Sequence, residues 1–295
     1  MPDCKQMPGL STLADCHYAA GDFTRKAPSY LQEYERILAG LRDTDVRILE
    51  LGVSSGASLL LWRDYLPNAI IVGIDIEKMP EKIANQDRIH FLQGSQDDPL
   101  TLEKAAQIAG GAFDLIVDDA SHLGHLTKRS FTYLFPKLLK PGGIYVIEDF
   151  GTAYMPEYPD GSSFVEPLSG DMTSDTIVFE SHQFGMVGVV KQLIDHMMQE
   201  LMTGTRSYLS IARMTILVNI AFIEKSTLPG GPLPVPRTTD RTATGGESAA
   251  QKFGDLTGQI RRLETRVAEL ERVLGRLVGH LRPLLAMRRI LRWSR

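Results

Sequence analysis

Cysteine is nearly absent: the chain has 295 residues and two cysteines, Cys4 and Cys16. Two thiols build no disulfide framework and fall two ligands short of a structural zinc site, so a reducing compartment is expected. Positive charge is not in excess. The formal net charge is −4, which leaves no global basis for binding nucleic acid. Long hydrophobic runs are missing as well. The most apolar stretch, Met214 to Ile223, stops at Glu224-Lys225 and is too short for a membrane span, so it reads as a buried strand or strand pair. Residues 1–16 contain no apolar core of a secretory signal, which makes the cytoplasm the expected location. What remains is 43% hydrophobic, enough for one sizeable α/β domain with appendages.

The hydrophobic pattern divides the chain into four parts. Residues 1–45 read as a helical segment, with Tyr30, Leu31, Tyr34, Ile37, Leu38 and Leu41 at helical spacing. Residues 46–225 alternate strand and helix signals. Strands are expected over Val46–Leu51, Ala69–Ile76, Ile89–Leu92, Asp114–Asp118 and Ile144–Ile147. Helices are expected over Leu59–Tyr65 and Phe131–Leu139, the second stopped by Pro141-Gly142-Gly143. This order predicts an α/β fold: a Rossmann-like, doubly wound, mostly parallel sheet with helices on both faces. Residues 226–255 are rich in Pro, Gly, Thr and Ser and read as a disordered linker. In residues 256–295, Leu256, Ile260, Leu263, Val267, Leu270, Leu274, Leu277 and Leu281 alternate by four and three, the seam of a coiled-coil helix. A basic tail follows.

In such a sheet, ligands bind at the carboxyl ends of the strands, and the distinctive polar residues fall there. The first strand delivers Glu50-Leu-Gly52-Val-Ser-Ser55-Gly56-Ala-Ser58, a turn of small residues that lets the backbone approach a ligand closely. The glycine spacing is not that of a dinucleotide fingerprint, and no lysine follows to make a P-loop. Asp75 ends the second strand, where an acid can accept both hydroxyls of a ribose. Acids around the loop suit a ligand that is cationic, carrying an amine and a sulfonium, rather than a pyrophosphate. With Asp75, the pattern resembles the cofactor motifs of class I S-adenosylmethionine methyltransferases. Glu50, Gly52, Ser55, Gly56, Ser58 and Asp75 are its expected cofactor residues.

A second group closes the next two strands: Asp118-Asp119-Ala-Ser-His122 and Glu148-Asp149. Adjacent parallel strands lie about 5 Å apart, so these acids face one another and need a cation among them. Oxygen ligands favour Mg²⁺ or a similar divalent cation, with Asp119, Glu148 and Asp149 as ligands. His122 is placed to take a proton from a substrate hydroxyl, and His125 is the alternative base.

The strings FDLIVDDASH, LKPGGIYVIEDF and GTAYMPEYPDG, between Phe113 and Gly161, resemble the metal-dependent sugar O-methyltransferases of macrolide biosynthesis, a group related to rhamnosyl O-methyltransferases. The resemblance extends over roughly residues 12–226, including AGDFTRKAPSYLQEYERIL and the strand NIAFIEK. It implies Mg²⁺ held by Asp119, Glu148 and Asp149, His122 as general base, and a sugar or glycan acceptor. It also implies S-adenosylmethionine lined by Gly52, Asp75 and Asp118, with Ser95 and Gln96 on the adenine side, where Ser95 stands in place of the family's acid.

Two other readings compete: methylation of a small non-sugar vicinal diol or catechol, and a non-catalytic scaffold built on a vestigial domain. The exposed seam of residues 256–281 predicts a homo-oligomer. The tail from Arg282 to Arg295, with five arginines, Trp293 and no acid, suits peripheral contact with an anionic membrane surface.

Overall fold

The structure is a computed structural model that describes residues 8–24, 26–162 and 183–231. The chain divides into two units, Met1–Pro234 and Val235–Arg295, and every described residue belongs to the first. The expected coiled-coil helix, the basic tail and all of the expected linker beyond residue 231 lie outside the described residues.

Seven strands form one sheet in the order β3-β2-β1-β4-β5-β7-β6. They are β1 (Arg47–Leu51), β2 (Ile70–Asp75), β3 (Ile89–Gln93), β4 (Phe113–Asp118), β5 (Leu139–Glu148), β6 (Ile211–Leu217) and β7 (Ile220–Lys225). The first five run parallel, whereas β7 pairs antiparallel with both β5 and β6. The five expected parallel strands are all present. The run Met214–Ile223 forms parts of two strands, joined by Val218 and Asn219, with Asn219 at φ +69° as a tight hairpin requires. One boundary differs: β5 begins at Leu139 and runs through Pro141-Gly142-Gly143. The β4–β5 register slips between Phe113 and Leu115, so a bulge absorbs the residues that had signalled a break.

Helices cover both faces. On one side lie α1 (Leu10–Ala19), α2 (Pro28–Leu38) and α3 (Ala57–Tyr65), packed around Tyr34, Trp62 and Ile48. On the other lie α4 (Pro99–Ala109), α5 (Gly124–Lys137) and α7 (Gly185–Thr203), around Phe131, Phe135, Leu49 and Leu51. A single turn, α6 (Pro159–Ser162), precedes α7. β1 sends Ile48 and Glu50 to the first face and Leu49 and Leu51 to the second, as the two-residue period of a strand demands. Glu50 is therefore a carboxylate inside an apolar layer. His17 on α1 bonds Asp64 on α3 at 3.0 Å, tying α1 across that layer. Cys16 is disulfide-bonded. Among the described residues, no helix is long and apolar enough to cross a membrane.

Candidate active site

The turn after β1 is built around glycine. Gly52 sits at φ +86°, and a Cβ there would lie 2.1 Å from the Asp119 carbonyl oxygen. Only glycine lets the loops after β1 and β4 touch. Asp75, at the end of β2, braces the turn: its Oδ2 accepts from the Val53 and Ser54 backbone N–H groups at 2.7 and 3.0 Å. Burial alone would raise its pKa, but these bonds and one from Glu77 hold it below the usual carboxylate value. Gly56, at φ +82°, starts α3.

The acids after β4 and β5 are brought together by register, since Asp118 pairs with Ile147. Asp119 thus stands beside Glu148. Neither this pair nor Glu50 is left to water. Lys26, just before α2, places Nζ 2.6 Å from Glu148, 3.5 Å from Asp119 and 3.7 Å from Glu50, with its side chain only 4% exposed. Tyr34 donates to the same Glu148 oxygen at 2.6 Å, and Trp62 donates to Glu50 at 2.6 Å. Tyr30 donates to Asp149 at 3.0 Å and Asn219 Nδ2 does so at 2.8 Å. Burial would push the Lys26 ammonium down, but the three carboxylates overrule it and hold it well above its ordinary value. Burial lifts the carboxyls of Glu50 and Asp119, and Lys26 opposes the rise in both. One ammonium does not neutralise this cluster.

His122 has a left-handed backbone, φ +53°, and so does Asp149, φ +54°. Asp119, His122 and Asp149 each offer one ligand atom, and these atoms lie within 4.8 Å of one another. The Nδ1 of His122 is buried and has no hydrogen-bond partner among the described residues. The Tyr158 ring stands edge-on to the imidazole, with centroids 5.9 Å apart.

A cavity of about 730 Å³ joins the two halves. Of the expected residues, Glu50, Gly52, Ser55, Ser58, Asp75, Asp119, His122, Glu148 and Asp149 line it. Gly56, Ser95, Gln96 and Asp118 do not. Gln96 and Asp118 are buried behind the loop: Gln96 bonds Asp118 at 3.0 Å, and Tyr145 donates to Asp118 at 2.9 Å. Burial there pushes the Asp118 carboxyl up to about 7 against both bonds. Ser95 is turned to Asp97, 2.6 Å away. His125 is exposed on α5 and outside the cavity. Sequence reasoning did not reach Lys26 or Asn219, and it read Tyr30 and Tyr34 only as a helical stripe. Only the spacing of Tyr30 and Tyr34 is itself a signal, because it places two hydroxyls along one line of α2.

The parallel sheet with an antiparallel β7, the glycine turn and the braced Asp75 make up the fold of the class I S-adenosylmethionine-dependent methyltransferases. No family model matches the chain. Over 222 residues it is 34% identical to the 8-demethyl-8-(2-methoxy-alpha-L-rhamnosyl)-tetracenomycin-C 3'-O-methyltransferase of Streptomyces olivaceus, covering 70% of this chain and 52% of that protein. Over 262 residues it is 33% identical to the demethylmacrocin O-methyltransferase of Streptomyces fradiae, covering 80% of this chain and 61% of that one. Among solved structures it resembles the MycE methyltransferase from the mycinamycin biosynthetic pathway in complex with Mg, SAH and mycinamycin VI. That match has a TM-score of 0.60 and 30% identity, and covers 79% of this chain and 58% of the other. Over the matched residues the chain is similar to these sugar O-methyltransferases, and it spans about half to three fifths of their length.

Proposed function

We propose that the chain methylates a sugar hydroxyl on a glycan or glycosylated metabolite, using S-adenosylmethionine and Mg²⁺. The observation that carries this reading is the single cavity with the glycine turn and Asp75 on one wall and Asp119, His122 and Asp149 on the other. Its volume falls within the range of about 300–1,000 Å³ typical of small-molecule sites.

The residues fit both cofactors. Gly52, Ser55 and Ser58 leave room beside the backbone for the methyl donor, and Asp75 offers its carboxylate to a ribose. Asp119, Glu148 and Asp149 are the oxygen donors for Mg²⁺; the carboxylates crowded around one ammonium support a further cation at this point. When bound, Mg²⁺ supplies positive charge that lowers the cost of deprotonating a nearby hydroxyl. The His122 imidazole accepts the hydroxyl proton while the oxygen forms a bond to the methyl carbon. The carbon–sulfur bond breaks, and its electron pair turns the sulfonium into a neutral thioether. Asp149 is held in place by Tyr30 and Asn219. Tyr158 shields the imidazole from one side.

His122 lies close enough to Asp119 and Asp149 to be a ligand instead, and one variant separates the two roles. His122→Ala is expected to lower turnover by about 10²- to 10⁴-fold, the usual worth of a general base, while Mn²⁺ affinity stays within about threefold of wild type. Activity on glycosylated acceptors is expected to vanish with EDTA and return with Mg²⁺. Full activity after metal removal, or in His122→Ala, overturns the mechanism. Loss of Mn²⁺ binding in the variant makes His122 a ligand. For the segment of residues 256–281 we propose self-association along its leucine seam.

A further inference from the structure

We propose that Lys26 is a built-in counter-cation that competes with the divalent ion for Glu148 and Asp119 and so sets the metal affinity of the site. This rests on the reading of that site as a divalent-cation site.

The chain gives the lysine little choice of position. Lys26 lies between the rim residues Phe23 and Thr24 and the start of α2 at Pro28, so its side chain enters the cavity rather than solvent. Its ammonium stands 5.9 and 5.7 Å from the ring centres of Tyr34 and Trp62. Aromatic faces replace water around it, and its contacts with the carboxylates are correspondingly strong.

The four carboxylates are not equally committed. Glu50 keeps the Trp62 indole N–H, Glu148 keeps the Tyr34 hydroxyl, and Asp149 keeps Tyr30 and Asn219. Asp119 has only the 3.5 Å contact with Lys26 among the described residues. Lys26 therefore holds two of the three expected metal ligands, one tightly and one loosely. An incoming dication must share both with it and is repelled by it at close range. Glu50 is the only one of the three partners not expected to ligate the ion. At 3.7 Å, it remains a partner for Lys26 when the other two turn to metal.

Lys26 is thus a positioning residue, and its effect is read on metal binding rather than on turnover. Mn²⁺ binding to the full chain, measured by calorimetry and by electron paramagnetic resonance without acceptor, is compared among wild type, Lys26→Met and Lys26→Arg. The expected result is at least tenfold tighter Mn²⁺ binding in Lys26→Met, and affinity within about threefold of wild type in Lys26→Arg, which keeps the charge. Lys26→Met is also expected to melt lower than wild type without metal and to gain more from Mn²⁺, because the ion replaces the missing cation. Binding that is unchanged or weaker in a folded Lys26→Met overturns the proposal and leaves the metal site standing, provided wild type binds. A Lys26→Met chain that stays unfolded at every Mn²⁺ concentration also overturns it. If neither wild type nor Lys26→Met binds Mn²⁺, the divalent-cation reading falls, and this inference falls with it.

Discussion

His122, Asp149 and Asn219 share a backbone conformation that side chains usually avoid, with φ of +53°, +54° and +69°. Such residues cost about 1–3 kcal/mol each and gather where a site over-determines them. Here Asp149 and Asn219 are wired to each other and to Tyr30. Gly52 holds the remaining turn open. Gly52→Ala is expected to abolish S-adenosylmethionine binding in calorimetry, by more than about 100-fold, because the methyl would press on the Asp119 carbonyl in a backbone region that alanine disfavours. Near-normal affinity in that variant removes the loop from the cofactor site. The acids, the glycines and His122 were legible in the sequence because each sits at a strand end, and the strand pattern locates strand ends. Lys26 and Asn219 were not, since they reach Glu148 and Asp149 from sequence positions 122 and 70 residues away. Gln96 and Asp118 were legible as strand-end residues, but which of them turns inward depends on packing against Ser130 and Tyr145.

Several elements depend on partners far along the chain. Neither α5 nor α7 has a side-chain cap of its own. Asp160 serves both: its Oδ2 accepts from Gly124 N–H at 2.7 Å and from Met186 N–H at 3.2 Å. The two helix starts meet so closely that a Cβ on Gly124 would lie 2.2 Å from the Gly185 carbonyl carbon. A carboxylate between two helix N-termini is favoured by both dipoles. Asp160→Ala is expected to cost about 3 kcal/mol in denaturant unfolding, from two charge-assisted bonds and two lost caps. It should also speed hydrogen exchange at Gly124 and Met186. A loss below about 1 kcal/mol would mean that the helices start without it. This explains why the sequence placed the α5 helix at Phe131, whereas it begins at Gly124: its cap comes from beyond β5. The helix α4 was also not foreseen, although Asp98, Pro99 and Gly110 mark its ends. α7 was missed for the opposite reason. Its exposed Ile194, Met198, Leu201 and Met202 blur the contrast between an inner and an outer face.

At the scale of the whole molecule, the parallel order of the sheet was readable because β1 to β5 contain short apolar runs, with helix signals after the first and the fourth, and the last two strands were readable only as one apolar stretch. The seam at residues 256–281 makes a prediction about assembly. In light scattering, the full chain is expected to be an oligomer, and Leu263→Asp with Leu270→Asp is expected to make it monomeric; an unchanged mass in the double variant excludes the seam as the interface. The hairpin that closes the sheet has a consequence for the order in which the site matures. Asn219 lies at its turn, donates to Asp149 and accepts from the Gly151 N–H. Its carbonyl receives Tyr30. On the ribosome, the carboxylates and His122 emerge well before residue 219. Until the hairpin has been made and inserted beside β5, Asp149 lacks one of its two donors and Tyr30 one of its two acceptors. Among the described residues, the last strand to be synthesised therefore completes both the sheet and the reaction centre, and a nascent chain that stalls before it carries every charged residue of the site without the brace that orders them.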